Sequence, residues 1–213
     1  MRLVLRSAVV LCLCFYHGSL GGQGHSPEGA EGDLIVPGRS VGRLKLGDPY
    51  SRAKDLFPFK PNMDQQWQEE GDCGTTFNWL DWKNSKMLGN VFIRFKDDEV
   101  FQIDSGTSSF RTQDGITRSS SPQEVRRRYP HLRAYILSEG FSEASGGHPL
   151  VYWVDSERGI AFGFAYSRRT HQNSYLSWII VFRPHAEVCP EYSPLGPSEK
   201  REIPPYTLET RPR

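Results

Sequence analysis

The chain has 213 residues, 26 Lys+Arg against 25 Asp+Glu, and a formal net charge of +1. Such balance argues against a dedicated nucleic-acid binder, which carries a marked basic excess. Apolar residues at 37% and aromatics at 12% are enough for a packed core in one large domain or two small ones.

Residues 1–24 read as a secretory signal. Arg2 and Arg6 give a positive start, and Ala8 to Tyr16 give an apolar run too short to span a bilayer comfortably. Ser19-Leu20-Gly21 and Gly22-Gln23-Gly24 are small-residue patterns suited to precede cleavage. An uncleaved anchor is the alternative. Cys12 and Cys14 each follow a Leu, where a lipid-modification site wants a small residue. The mature chain is therefore expected outside the cytoplasm, periplasmic or secreted, with no membrane span after cleavage. Residues 22–33 are rich in Gly, Ser, Pro and acid, and residues 25–40 are expected as a flexible leader.

The first predicted helix has Asp48 as N-cap and Pro49 at its first position. Tyr50, Ala53 and Phe57 follow on one face, and Pro58 ends it. Strands are expected near 63–69, 75–82, 90–96 and 99–105, with Asp97-Asp98 as a short turn. The second helix has Ser121 as N-cap, Pro122 next, Glu124 completing a capping box, and Pro130 as the stop. Strands are then expected near 133–138, 149–155, 159–166 and 175–182. In the third of these, Phe162, Phe164 and Tyr166 alternate with Ala161, Gly163 and Ala165, one face bulky and the other nearly bare. Trp178 to Phe182 is apolar on both faces, as in a central strand. Short connections favour antiparallel meanders. Residues 190–213 hold scattered prolines and charges and read as an extended tail.

The two halves echo one another: Pro58 matches Pro130, and Trp79-Leu80-Asp81 matches Trp153-Val154-Asp155. The expected fold class is α+β. Two tandem helix-plus-four-stranded antiparallel meander repeats, 41–110 and 111–189, form one long sheet with the helices on one face.

After signal removal, Lys+Arg falls to 24 against 25 Asp+Glu, and Cys73 and Cys189 are the remaining cysteines. Outside the cytosol such a pair is most simply a disulfide, with two free thiols as the alternative. It would close a loop of more than a hundred residues, for which chain entropy predicts roughly 4–5 kcal/mol less any strain.

The opening Val41-Gly42-Arg43-Leu44-Lys45-Leu46-Gly47-Asp48, with the helix and meander after it, resembles the β-lactamase-inhibitor-protein-like group. That group includes the small lipoprotein of the outer-membrane β-barrel assembly machinery and a tandem inhibitor. The second opening, Gly115 to Ser121, is similar to a form common in uncharacterised secreted bacterial proteins. The resemblance implies a binding module whose uncovered sheet face meets protein partners. Two departures stand against transferring a specific partner: a single possible cysteine pair where the inhibitor has a disulfide in each unit, and no convincing lipidation site.

Function is expected on that sheet face, where aromatic and Arg side chains anchor interfaces. Asn78, Trp82, Phe92, Arg94 and Tyr152 are the candidate partner-binding residues, on an outward parity; with the parity reversed they are core. The Trp-x-Asp triplets read either as a repeated surface site or as packing plus turn formation. The Arg126-Arg127-Arg128 run reads as a solvated face, and Arg168 to Asn173 as a hairpin loop. No HExxH, GxSxG, P-loop or CxxC occurs, and the histidines share no spacing. The expectation is a non-catalytic protein- or peptide-binding module with no cofactor or metal, its partner another extracytoplasmic protein or peptide. The alternative is a secreted enzyme or small-ligand carrier with a cleft between the halves, which requires at least two of His131, His148, His171, Asp81, Asp155 and the other acids to converge within a pocket.

Overall fold

Period-2 alternation dominates the chain, and the structure follows it. The structure is a computed structural model that describes residues 32–57, 66–68, 74–83, 86–136, 150–167, 172–189 and 201–203. Its elements in chain order are β1 (Leu34–Val36), β2 (Ser40–Val41), β3 (Leu44–Lys45), α1 (Tyr50–Leu56), β4 (Gln66–Gln68), β5 (Thr75–Lys83), β6 (Lys86–Lys96), β7 (Glu99–Ser105) and β8 (Arg111–Thr112), then α2 (Pro122–Arg128), β9 (Arg133–Ile136), β10 (Leu150–Asp155), β11 (Ile160–Ser167), β12 (Gln172–Phe182) and β13 (Arg201–Ile203).

Nine strands form one antiparallel sheet in the order β13-β9-β10-β11-β12-β7-β6-β5-β4. The doubly apolar β12 lies in the middle, as its composition requires. A second sheet has the order β3-β2-β1-β8, and its β1–β8 pair is parallel.

The expected α+β class is overturned. The chain is mainly β, and it is not a pair of helix-plus-strand repeats. Each helix has seven residues, about two turns, and buries one of them: Ala53 in α1, Val125 in α2. Cap and proline signals mark where a helix starts and stops, but they carry no information on whether it forms a layer. What packs beside the helices is the small sheet, and β1–β8 ties residues 34–35 to 111–112, across the boundary expected between repeats. Leu34–Val36 and Ser40, expected within a flexible leader, lie in strands β1 and β2, and Ile35 is fully buried. Within the expected tail, Arg201–Ile203 adds a strand to β9.

The helix starts also differ. Ser121 accepts from the Glu124 backbone N–H while Glu124 accepts from the Ser121 N–H, so the capping box forms at α2. That backbone hydrogen bond is the main reason the Glu124 carboxyl lies below its usual pKa. Asp48 does not cap α1; its carboxylate accepts from the Lys45 N–H at 2.8 Å and closes the preceding turn.

The main core lies on one face of the large sheet. Phe77, Val91, Ile93, Ile103, Val151, Trp153, Phe162, Phe164, Ile179 and Val181 meet Ile35, Val41 and Leu44 of the small sheet, and Ala53, Phe57, Val125 and Tyr129 around the helices. Edge-on aromatic contacts join the layers: Tyr50 to Phe95 at 5.1 Å, Phe57 to Trp79 at 4.9 Å and Tyr129 to Phe162 at 4.8 Å. A smaller cluster on the opposite face contains Tyr152, Val154, Ala161, Trp178, Ile180 and Phe182, with Val188 packed on it.

Candidate binding face

Alternation places Thr76, Asn78 and Leu80 of β5 on that opposite face, with Asn90, Phe92 and Arg94 of β6 and Gln102 and Asp104 of β7. At one end the face is closed and polar. Arg94, Gln102 and Asp104 have no solvent exposure. Arg94 Nε donates to Asp104 Oδ2 at 3.3 Å and Nη1 donates to Thr76 Oγ1 at 3.1 Å. Gln102 Nε2 donates to Asp104 Oδ1 at 2.7 Å and to the Cys189 carbonyl at 2.8 Å, while its Oε1 accepts from the Cys189 N–H at 2.8 Å. A side-chain amide thus imitates a neighbouring strand and holds the backbone after β12 across the sheet.

Towards the other end the face is aromatic and more open. Phe92 and Trp178 have ring centroids 5.1 Å apart. Leu80, Asn90, the Gly106 position, Trp178, Gly163, Tyr152 and Tyr135 follow one another across the strands. Gly106 and Gly163 are bare because the indole occupies their space: a Cβ on Gly106 would run into its six-membered ring, and one on Gly163 would lie 3.2 Å from the Tyr152 ring. Asn78, Leu80, Asn90 and Phe92 are half-buried, and Tyr175, paired with Ala165, is 55% exposed.

The candidate residues therefore divide. Asn78 and Phe92 reach solvent on the expected face. Arg94 and Tyr152 lie on that face too, but both are buried, Tyr152 at 3% exposure, and neither can touch a partner in this arrangement. The sequence left the parity open, and the cover could not be read from it either, because Val188 and Cys189 come from far along the chain. Trp82 pairs with Met87 across a register shift, and its side chain lies outside the described residues. Tyr175 was missed; its signal is an aromatic flanked by Ser174 and Leu176, whose solvent side only the register with Ala165 reveals.

The acids of the Trp-x-Asp triplets build turns. Asp81 Oδ2 accepts from Thr107 Oγ1 and from Ser109 Oγ, each at 2.5 Å, and pins the loop after β7. Asp155 Oδ1 accepts from the Arg158 N–H at 3.0 Å. Trp79 and Trp153 point into the main core. His131 and His185 are exposed, and the His185 N–H donates to the Ser156 carbonyl at 2.8 Å in the turn after Asp155; His148, His171 and Arg168 to Arg169 lie outside the described residues. Among the described residues, no group of three His, Cys, Asp or Glu is placed to hold a metal ion. Tyr129 is fully buried under the Arg158 guanidinium, 4.5 Å from its ring, and burial, reinforced by Asp114, pushes its pKa up to about 12. Cys189 is disulfide-bonded, and Cys73 lies outside the described residues. Among the described residues, no helix is long and apolar enough to cross a membrane.

No family model matches the chain, and no curated protein matches it. The chain is similar to the crystal structure of the uncharacterized protein yfeY from Escherichia coli, at 15% sequence identity and a TM-score of 0.47, over 70% of this chain and 99% of that one.

Proposed function

We propose that this protein is a non-catalytic module that binds another protein or peptide outside the cytoplasm, through the open end of the second sheet face. The observation that carries the reading is the half-buried set Asn78, Leu80, Asn90 and Phe92, backed by Trp178 and continued by exposed Tyr175. Rigid aromatics beside amide side chains give contact area at low entropic cost, together with hydrogen bonds that fix orientation. The disulfide at Cys189 accords with an oxidising compartment. The engagement of Asp81 and Asp155 in turns counts against the enzyme alternative.

Photo-crosslinking tests the reading. A crosslinking residue at position 175 is expected to form a discrete adduct with one extracytoplasmic protein, and the same residue at Arg52 on α1 is not. Tyr175→Ala and Asn90→Arg should each weaken binding of the identified partner by about tenfold or more. Equal binding by both variants, with folding intact, removes the face from consideration.

A further inference from the structure

β9 is an interior strand only because β13 covers its outer edge. The cover is three residues long, with Arg201 opposite Ile136, Glu202 opposite Tyr135 and Ile203 opposite Ala134. It comes from the far end of the chain: β12 ends in the middle of the sheet, and β13 lies beyond β11, β10 and β9. Pro204 and Pro205 follow at once in sequence and offer no N–H to a ladder. A three-residue strand contributes few hydrogen bonds, while an uncovered edge is a template for pairing with another chain.

We propose that the outer edge of β9 is a docking edge for an extended peptide of a partner protein, held closed in cis by β13. Main-chain bonds to Arg133–Ile136 supply the affinity of such strand addition, and alternate side chains supply the choice. The edge has a readable chemistry. Ala134 is small and buried at the rim of the main core, so the position opposite takes a branched aliphatic residue. The exposed Arg133 guanidinium lies over the Tyr135 ring at 6.0 Å, so the position opposite Tyr135 takes an acid. The matching partner segment is an acid followed by a branched aliphatic residue, antiparallel to β9. The chain's own Glu202-Ile203 satisfies the same rule. Tethering makes the closed form the default, because a linked strand competes at a high effective concentration.

The test uses the full-length chain and a labelled peptide of residues 198–207. Wild type should bind the peptide weakly. Arg201→Pro in the chain, which removes the N–H that β13 directs at Ile136, should bind it about tenfold more tightly or better, with faster amide exchange at Ala134 and Ile136. A peptide carrying the same Arg→Pro change should not bind either protein. Tyr175→Ala should leave this binding unchanged, which separates it from the open sheet face. The proposal is overturned if Arg201→Pro binds the peptide no better than wild type, or if exchange at Ala134 and Ile136 does not change.

Discussion

Arg94 is a charge closed off from water, and its energetics follow from what it keeps satisfied. Its guanidinium serves Asp104 and Thr76 at once, and Asp104 in turn holds Gln102. Replacing one member of a buried pair leaves the other desolvated, which costs more than the pair contributes. Arg94→Ala should lower unfolding stability by about 3–5 kcal/mol in urea titrations, and Arg94→Lys should recover only part, since an ammonium cannot reproduce the planar fork. A loss below about 1 kcal/mol for Arg94→Ala would contradict the burial argument. A capture experiment with that variant would report unfolding and not recognition, whereas Tyr175 and Asn90 reach solvent and report recognition directly. In sequence, Arg94 alternates with Ile93 and Phe95, which sets it on the opposite face from them without fixing which face is the core. Residue type alone could not separate a covered arginine from an exposed one, because the cover arrives from Cys189.

Elements were more legible than their layers. The strands fall close to the predicted stretches because strict alternation between turns is a local property, visible in a single window. α2 has a complete local code: Ser121, Pro122, Glu124 and the closing Pro130 agree with one another. Ser121→Ala should therefore cost about 1 kcal/mol at neutral pH, measured by thermal or urea unfolding. Glu124 has a folded pKa lowered by its hydrogen bond to the Ser121 backbone, so its share is present above the ordinary carboxylate pKa and is lost as pH falls through the lowered value. The penalty of Glu124→Ala should shrink as the solution is acidified below pH ~4; a penalty that grows there would sink this assignment. α1 has only half the code, and Asp48 is drawn away by the Lys45 N–H. Two-turn helices of this kind are held by packing against the sheet and not by propensity, which is why locating them correctly still led to the wrong fold class. The short strands β1, β2, β3 and β8 carry two or three residues each. No periodicity can be read from so few positions, and the sheet they form went unforeseen.

At the scale of the whole molecule, the segment after β12 returns to the sheet and is fastened there. Gln102 grips the Cys189 backbone, and Cys189 is disulfide-bonded. Gly74, next to Cys73 in sequence, lies against the Phe95 backbone and 3.3 Å from the Phe101 ring by its missing Cβ, beside the same stretch of β7 that holds Cys189. Non-reducing peptide mapping should therefore find Cys73 joined to Cys189, and Cys73→Ser should lower stability by up to about 4–5 kcal/mol; a link from Cys189 to Cys12 or Cys14 would refute it. The sequence by itself determined the strands, the capped second helix, the bulky and bare faces of β11 and the central place of β12, because each depends on neighbours a few residues apart. Only the tertiary structure decided that the class is mainly β, that Arg94 and Tyr152 are covered while Tyr175 is not, and that β9 has its edge closed by β13. Those outcomes depend on contacts between segments distant in sequence, and a local pattern holds no record of which distant segment will return to cover it.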